Sequence, residues 1–291
     1  MISNREGKRT ALVTGANSGL GKAIATALAA ENTRVGLVVR DRERGETALA
    51  EIRAATGNDD LHLFVADLAD QSAIRAMAQA VQQRFEHLHL LVNNAGTAFP
   101  ERRLSPQGIE CALAVNHLGP FLLTNLLLDL LKASAPARIV NVGTRISTAL
   151  DFGDLNWERR PYRMMQGYGQ SKLGNLHFTF ELARRLQGSG VTVNCVFPGV
   201  FKSNLGGTDG AQGFFLKLFA RLGGWAIPSA ERAARRVLYL ADAPELADVS
   251  GQYFGDRKTI PAPAQALDAD ANRRVWQISE TLTAEQGTAG G

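Results

Sequence analysis

Thr10-Ala11-Leu12-Val13-Thr14-Gly15-Ala16-Asn17-Ser18-Gly19-Leu20-Gly21 is the stretch whose reading decides the fold of this chain. A short apolar run meets a glycine-rich turn, and a helical pattern continues from it through Ala30. Strand, turn and helix in that order form a phosphate-binding unit. The glycines let the backbone approach a pyrophosphate, and the helix N-terminus offers unpaired N–H groups at the positive end of its dipole. The spacing is Gly-x3-Gly-x-Gly rather than the commoner Gly-x-Gly-x-x-Gly. Three glycines alone would mean no more than a tight turn; the strand before them and the helix after them carry the reading.

Outward from this unit the pattern repeats. A second strand, 34–39, runs into Val39-Arg40-Asp41-Arg42. A carboxylate at the end of this strand would bind a ribose 2′-hydroxyl, whereas an arginine accommodates a 2′-phosphate. Val39 takes the last strand position, Arg40 follows, and Asp41 points the other way. The strand end is therefore read as phosphate-tolerant, against the plainer alternative of a charged loop. A polar-faced helix at 44–56, a strand at 61–65 leading to Ala66-Asp67-Leu68, a helix at 71–85 and a strand at 88–92 come next. The last of these ends in Asn93-Asn94-Ala95-Gly96. A long helical stretch is expected from 105 to about 134, with Val115-Asn116-His117 inside it. Strands at 138–142 and 192–197 run into Gly143-Thr144-Arg145-Ile146-Ser147 and Pro198-Gly199-Val200; a helix at 229–241 and a strand at 251–254 follow. Apolar strands alternating with helices predict an α/β chain, a Rossmann-type doubly wound parallel sheet in a single domain. Such sheets bind their ligands beyond the carboxyl ends of the strands.

A second stretch, Gly167-Tyr168-Gly169-Gln170-Ser171-Lys172-Leu173-Gly174, carries the chemistry. A tyrosine and a lysine four apart lie on one helix face, about 6 Å apart along the axis. A phenol titrates near about 10 in water, and a nearby cation lowers that value. The pair could pass a proton to or from an alcohol or carbonyl oxygen. Tyr-x-x-x-Lys alone is weak, since most such pairs are surface residues, so its surroundings decide.

Composition narrows the field. The 291 residues are 45% hydrophobic and 21% charged, with a formal net charge of +4 and no block of like charge that would mark a nucleic-acid surface. The run from Arg232 to Arg236 is broken by alanines and reads as a solvated helix face. Cys111 and Cys195 stand far apart in apolar contexts and read as buried thiols in a reducing, cytoplasmic setting. No signal-like N-terminus and no window of eighteen uncharged apolar residues is present. His62, His87, His89, His117 and His177 show no metal spacing, no Gly-x-Ser-x-Gly elbow occurs, and the tryptophans are too scattered to stack nucleic acid.

Thr14-Gly15-x3-Gly19-x-Gly21, Asn93-Asn94-Ala95-Gly96, Tyr168-x3-Lys172 and Pro198-Gly199 occur in this order, each at a strand end or helix start. Together they resemble the short-chain dehydrogenase/reductase superfamily, over roughly residues 9–253. Arg40-Asp41-x3-Gly45-Glu46, Asp154-Leu155-Asn156-Trp157, Gly169-Gln170-Ser171-Lys172-Leu173 and Ser250-Gly251-Gln252-Tyr253-Phe254 resemble its retinol dehydrogenase-like branch. The resemblance implies that Tyr168 is the general acid/base, that Lys172 lowers its pKa and holds the nicotinamide ribose, and that Asn116 anchors a water relay behind the lysine. It further implies NADP(H) as cofactor. Gly15, Asn17, Ser18, Gly19, Leu20 and Gly21 would take the pyrophosphate, and Arg40 matches the arginine of NADP-preferring members. Asp67 and Leu68 would lie at the adenine, Asn94, Ala95 and Gly96 at the adenosine ribose side, and Pro198, Gly199 and Val200 under the nicotinamide. Ser203 replaces the threonine that commonly binds the carboxamide. One departure stands out: where the family has a Ser-Ser pair after the strand ending at Val142, this chain has Gly143-Thr144, which puts threonine at the catalytic place. A threonine hydroxyl still donates and accepts, with Ser147 as the possible substitute.

Residues 204–228 are expected to form a substrate lid, its Phe- and Leu-rich part at 211–222, and 261–291 an accessory tail with an amphipathic piece around 272–282. The expected activity interconverts a carbonyl and an alcohol on a hydrophobic small molecule, in a protein that could be a homodimer. Two alternatives stay open. One is a non-redox dehydratase or isomerase on the same scaffold; the other is a catalytically silent cofactor-binding protein.

Overall fold

Alternation along the first strand sets up the architecture. In β1, Thr10–Thr14, Ala11 and Val13 enter one core cluster and Leu12 enters another. A strand buried on both faces needs helices above and below it. The structure, a computed structural model, describes residues 8–146, 148–200 and 228–285. The expected lid at 204–228 lies outside the described residues but for its last position, and Ser147 and Ser203 lie outside them altogether.

After β1 come α1 (Gly19–Ala30), β2 (Arg34–Val39), α2 (Arg42–Thr56), β3 (Leu61–Val65), α3 (Gln71–Arg84) and β4 (Leu90–Asn93). The next segment holds α4 (Cys111–Leu113), a π-helical turn (Ala114–Leu118), α5 (Gly119–Leu126) and α6 (Leu128–Ala133). Then follow β5 (Ala137–Val142), α7 (Met164–Arg185) and β6 (Val191–Phe197). The last described part contributes α8 (Ala230–Asp242), β7 (Tyr253–Gly255), β8 (Lys258–Thr259), α9 (Ala264–Leu267) and α10 (Ala269–Thr283). The sheet order is β3-β2-β1-β4-β5-β6-β7-β8, parallel throughout except for the β7–β8 hairpin. The chain reverses its direction of travel between β1 and β4, which makes their carboxyl ends the switch point. Register aligns the strand ends: Thr14 pairs with Val38, Asn93 with Asn141, and Val142 with Val196. The segments that follow them therefore meet at one edge of the sheet.

Several expected elements differ in extent. Helix α2 begins two residues earlier than expected, because the Asp41 carboxylate accepts from the Arg44 N–H at 2.9 Å and caps it. The long helix expected from 105 is not continuous. Residues 105–109 form a turn around the Ser105 hydroxyl, which accepts from the Ile109 N–H at 3.2 Å. Helix proper starts only where the buried Glu110 carboxylate accepts from the Ala112 and Leu113 N–H groups, both at 2.8 Å. Strand β8 was not expected. Asp256 and Arg257, with φ of 44° and 66°, supply the two positive-φ positions of a tight hairpin.

The segment expected as an accessory tail is built into the core. Trp276 on α10 is buried against Phe121 (ring centroids 4.9 Å apart) and Phe178 (5.9 Å). On the same helix Ser279 pairs with His117 at 2.8 Å, and Asn272 with His177 at 2.5 Å. Burial holds both imidazoles below their usual range, His117 down to about 3, so both are neutral packing groups.

Candidate active site

The glycine turn is braced from behind. Gly15 donates to the Val38 carbonyl at 2.8 Å, and the Thr14 hydroxyl accepts from the N–H groups of Asn94 (3.0 Å) and Ala95 (2.9 Å). The Asn94 amide donates to the Thr14 carbonyl at 2.8 Å. Gly15 has φ +67°, and a Cβ on Gly21 would fall 2.2 Å from the Gly15 carbonyl oxygen, so neither place admits a side chain without movement. At the start of α1, Ser18 is the N-cap residue, yet its side chain makes no capping hydrogen bond, and no acidic residue occupies the first turn. The N–H groups there are left for an anion. Asn17, Ser18 and Gly19 are half-buried at this mouth and Leu20 is buried behind it.

Around this cradle lie the other strand ends. Arg40 is exposed just beyond β2, while the neighbouring Asp41 carboxylate caps α2. The Asp67 carboxylate accepts from the Ala69 N–H at 2.9 Å and closes a turn after β3, with Leu68 buried next to it. Beyond β4, a Cβ on Gly96 would stand 3.1 Å from the Lys172 Nζ, so its absence makes room for the ammonium. Beyond β6, Pro198 is buried, Gly199 has φ +87° and Val200 is exposed.

Tyr168 and Lys172 sit in the first half of α7, facing the end of β5. The Thr144 hydroxyl neighbours the Tyr168 phenol, and the Tyr253 hydroxyl donates to the Thr144 carbonyl at 2.7 Å, fixing that residue's backbone. Burial pushes the Tyr168 phenol up to about 12, against a pull downward from the neighbouring Thr144 hydroxyl. The lowering expected from Lys172 is not what the protein alone displays. Lys172 is buried and donates to the Val142 carbonyl at 2.9 Å, and burial brings its ammonium down to about 8. Asn116 lies in the π-helical turn, a distortion frequent at functional sites. Its side chain accepts from the Thr97 N–H (2.7 Å) and donates to the Thr97 carbonyl (2.8 Å) and the Ser171 hydroxyl (2.9 Å). Its carbonyl accepts from the Asn175 amide at 2.6 Å. Asn116 is thereby tied both to the segment after β4 and to the helix that carries Tyr168 and Lys172.

Three contributors escape motif reading. Tyr253 belongs to a quoted motif, but its grip on Thr144 depends on β7 lying beside β6. Gly143 is explained by Cys195: a Cβ there would meet the Cys195 Sγ at 2.7 Å. Arg236 corrects the reading of residues 232–236 as a solvated face. Arg232 and Arg235 are exposed, but Arg236 is half-buried and donates to the Pro198 carbonyl at 2.7 Å and to Asp256 at 3.0 Å. No helix among the described residues is long and apolar enough to cross a membrane, and no cluster of metal-ligating side chains occurs among them.

Comparison with known proteins agrees with this geometry. The profile of the short chain dehydrogenase family matches residues 9–212. Human Retinol dehydrogenase 13 is 44% identical over 279 residues, covering 94% of this chain and 84% of that protein. Human Retinol dehydrogenase 14 is 40% identical over 290 residues, covering 94% and 86%. Among solved structures, the Pseudomonas aeruginosa RhlG/NADP active-site complex superposes with a TM-score of 0.68 at 27% identity, covering 85% of this chain and 94% of that one. An actinorhodin polyketide ketoreductase variant with NADPH gives 0.67 at 27% identity, covering 86% and 95%.

Proposed function

The chain belongs to the short-chain dehydrogenase/reductase family, in its retinol dehydrogenase-like branch, and from that premise we propose that it is an NADP(H)-dependent oxidoreductase acting on hydrophobic carbonyls and alcohols. The observation that carries the chemistry is the buried Lys172 ammonium, which donates to the Val142 carbonyl at the end of β5 beside Gly96, with Tyr168 one turn before it on α7 and Thr144 two residues beyond Val142. In the reductive direction Thr144 orients the substrate oxygen and Tyr168 delivers its phenolic proton to it. Lys172 provides the positive charge that makes losing this proton tolerable. Asn116, through Ser171 and Thr97, keeps the lysine-bearing turn of α7 in register with the end of β4.

The cradle fits a dinucleotide. Gly15, Asn17, Ser18, Gly19, Leu20 and Gly21 would hold its pyrophosphate, Asp67 and Leu68 the adenine, and Asn94, Ala95 and Gly96 the adenosine ribose side. Lys172, Pro198, Gly199 and Val200 would hold the nicotinamide half, with Ser203, outside the described residues, expected at the carboxamide. When bound, NADPH supplies the hydride that reduces the carbonyl carbon. The preference for NADP(H) rests on Arg40. Asp41, the nearest carboxylate, is occupied by the Arg44 N–H at 2.9 Å, and Val39 fills the place of a ribose-binding acid. The two free, buried thiols suit a reducing cytoplasm.

Titration of the protein with NADPH and NADH tests the preference. NADPH should bind more tightly, and Arg40→Ala should erode the difference by about 1.5–3 kcal/mol if one charged hydrogen bond is lost. Equal binding of the two by the unaltered protein would refute it. Nicotinamide absorbance with a panel of hydrophobic ketones and alcohols then reads the activity itself.

A further inference from the structure

Beside Thr144 the structure contains a cavity of about 320 Å³, lined by Ile146, Tyr253, Ile260, Pro261, Pro263 and Arg145. This lies at the small end of the ligand-cavity range, roughly 300–1,000 Å³. Its lining mixes the apolar Ile146, Ile260 and prolines with polar groups, and Arg145 alone among the described residues lining it carries a full charge. The Arg145 guanidinium stands 5.7 Å from the centroid of the Phe197 ring, within reach of a cation–π contact. Its charge also lies close enough to the Tyr253 hydroxyl to act on it, and no carboxylate of the described residues forms an ion pair with it. A cation–π contact of this kind uses no N–H donor of the guanidinium. The guanidinium's N–H fork matches a carboxylate in bidentate geometry.

Position turns this cation into a specificity element. Arg145 directly follows Thr144, their Cα atoms about 3.8 Å apart, and Tyr253 serves both places by lining the cavity and holding the Thr144 carbonyl. Phe197, the seat of the guanidinium, is the last residue of β6 and immediately precedes Pro198-Gly199. A molecule whose carbonyl oxygen rests at Thr144 and Tyr168 would pass its apolar carbons along Ile146 and Ile260 and bring a second polar end to Arg145.

Resting on the oxidoreductase reading above, we propose that the substrate is an apolar oxo acid or hydroxy acid, whose carboxylate is bound by Arg145 at the mouth of this cavity. The class differs from a purely neutral lipid aldehyde or alcohol in having a charged end, and the cavity wall discriminates between the two. Arg145 is solvent-exposed, so the discrimination is about tenfold, the size of one charge-assisted hydrogen bond at an open site.

The test compares medium-chain oxo acids with their methyl esters, following NADPH oxidation by the whole protein and by Arg145→Met and Arg145→Lys. The ratio of kcat/KM for acid over ester should be about ten or more in the unaltered protein. It should fall close to one in Arg145→Met, return in part with Arg145→Lys, and shrink with added salt. A ratio cancels any general damage to the fold, which would lower both substrates alike. Ester turnover without a preference for the acid, or a preference that survives Arg145→Met, overturns the proposal and leaves the oxidoreductase intact. Absence of NADPH oxidation with acids and esters alike overturns the underlying reading, and this one with it.

Discussion

At Tyr168 burial pushes the phenol up to about 12. Burial outweighs the downward pull of the neighbouring Thr144 hydroxyl there. Tyr168→Phe removes the transferable proton and little else; turnover should fall by about 10²-fold or more while NADPH binding stays near the unaltered value. A variant that keeps more than about a tenth of the rate would assign the proton to another group. Thr144→Ser should be tolerated and Thr144→Val should be damaging, since only the first keeps a hydroxyl for the substrate oxygen; steady-state rates decide between them. At this scale much of the candidate site could be nominated from the sequence. Tyr168, Lys172, Asn116 and the glycines announced themselves by spacing and by resemblance to a family. Gly143 did not, because its meaning lies in the Cys195 sulfur 2.7 Å from where its Cβ would be, and nothing in a linear text brings positions 143 and 195 together.

Helices and strands explain that pair and others like it. Asn141 pairs with Cys195 across β5 and β6, so the residue two places after Asn141 hangs over the thiol. Burial pushes that thiol up to about 12, which keeps it an uncharged packing group. Gly143→Ser, which restores the first serine of the family's pair, should therefore destabilise the protein, by roughly 1–3 kcal/mol as overpacking does. Combining it with Cys195→Ala should recover much of the loss. Denaturant unfolding of the two single variants and the double variant measures the coupling; strictly additive losses would mean that the sulfur and the new side chain do not compete. Element ends were the weakest part of the sequence reading. The order of strands and helices was visible from apolar periodicity, but the starts at Arg42 and Cys111 depend on the capping carboxylates of Asp41 and Glu110. A two-residue strand such as Lys258–Thr259 has no periodicity to read at all. Arg236 belongs here too: it looked like solvent decoration until α8 was packed against the turn at Pro198 and the hairpin at Asp256.

Across the whole molecule the doubly wound sheet was foreseen and the role of the C-terminal segment was not, since amphipathic spacing says that a helix has a face to cover without saying what covers it. Trp276 covers it with Phe121 and Phe178, and truncation of such a core aromatic costs about 3–5 kcal/mol. The docking also carries two neutral imidazoles. His117 and His177 are held below their ordinary pKa by burial, His117 down to about 3. Above the unfolded value, about 6.5, both states leave them neutral and nothing is lost. As pH falls from about 6.5 towards 3, the unfolded chain takes up protons that the folded one refuses, so stability declines through that window. His117→Gln should flatten the decline, as read from unfolding free energies between about pH 6.5 and 4. An unchanged slope would assign the acid sensitivity to other groups. The same docking has a consequence in time. The pairing of His117 with Ser279 joins positions 162 residues apart, and loops that long close late because their entropy must be met before their contacts reward it. The helix bearing Tyr168 and Lys172 should therefore reach its final seat in one of the last events of refolding, after most of the sheet. On dilution from denaturant, the return of turnover should lag behind the return of the helical circular-dichroism signal, and simultaneous recovery would contradict that order of events.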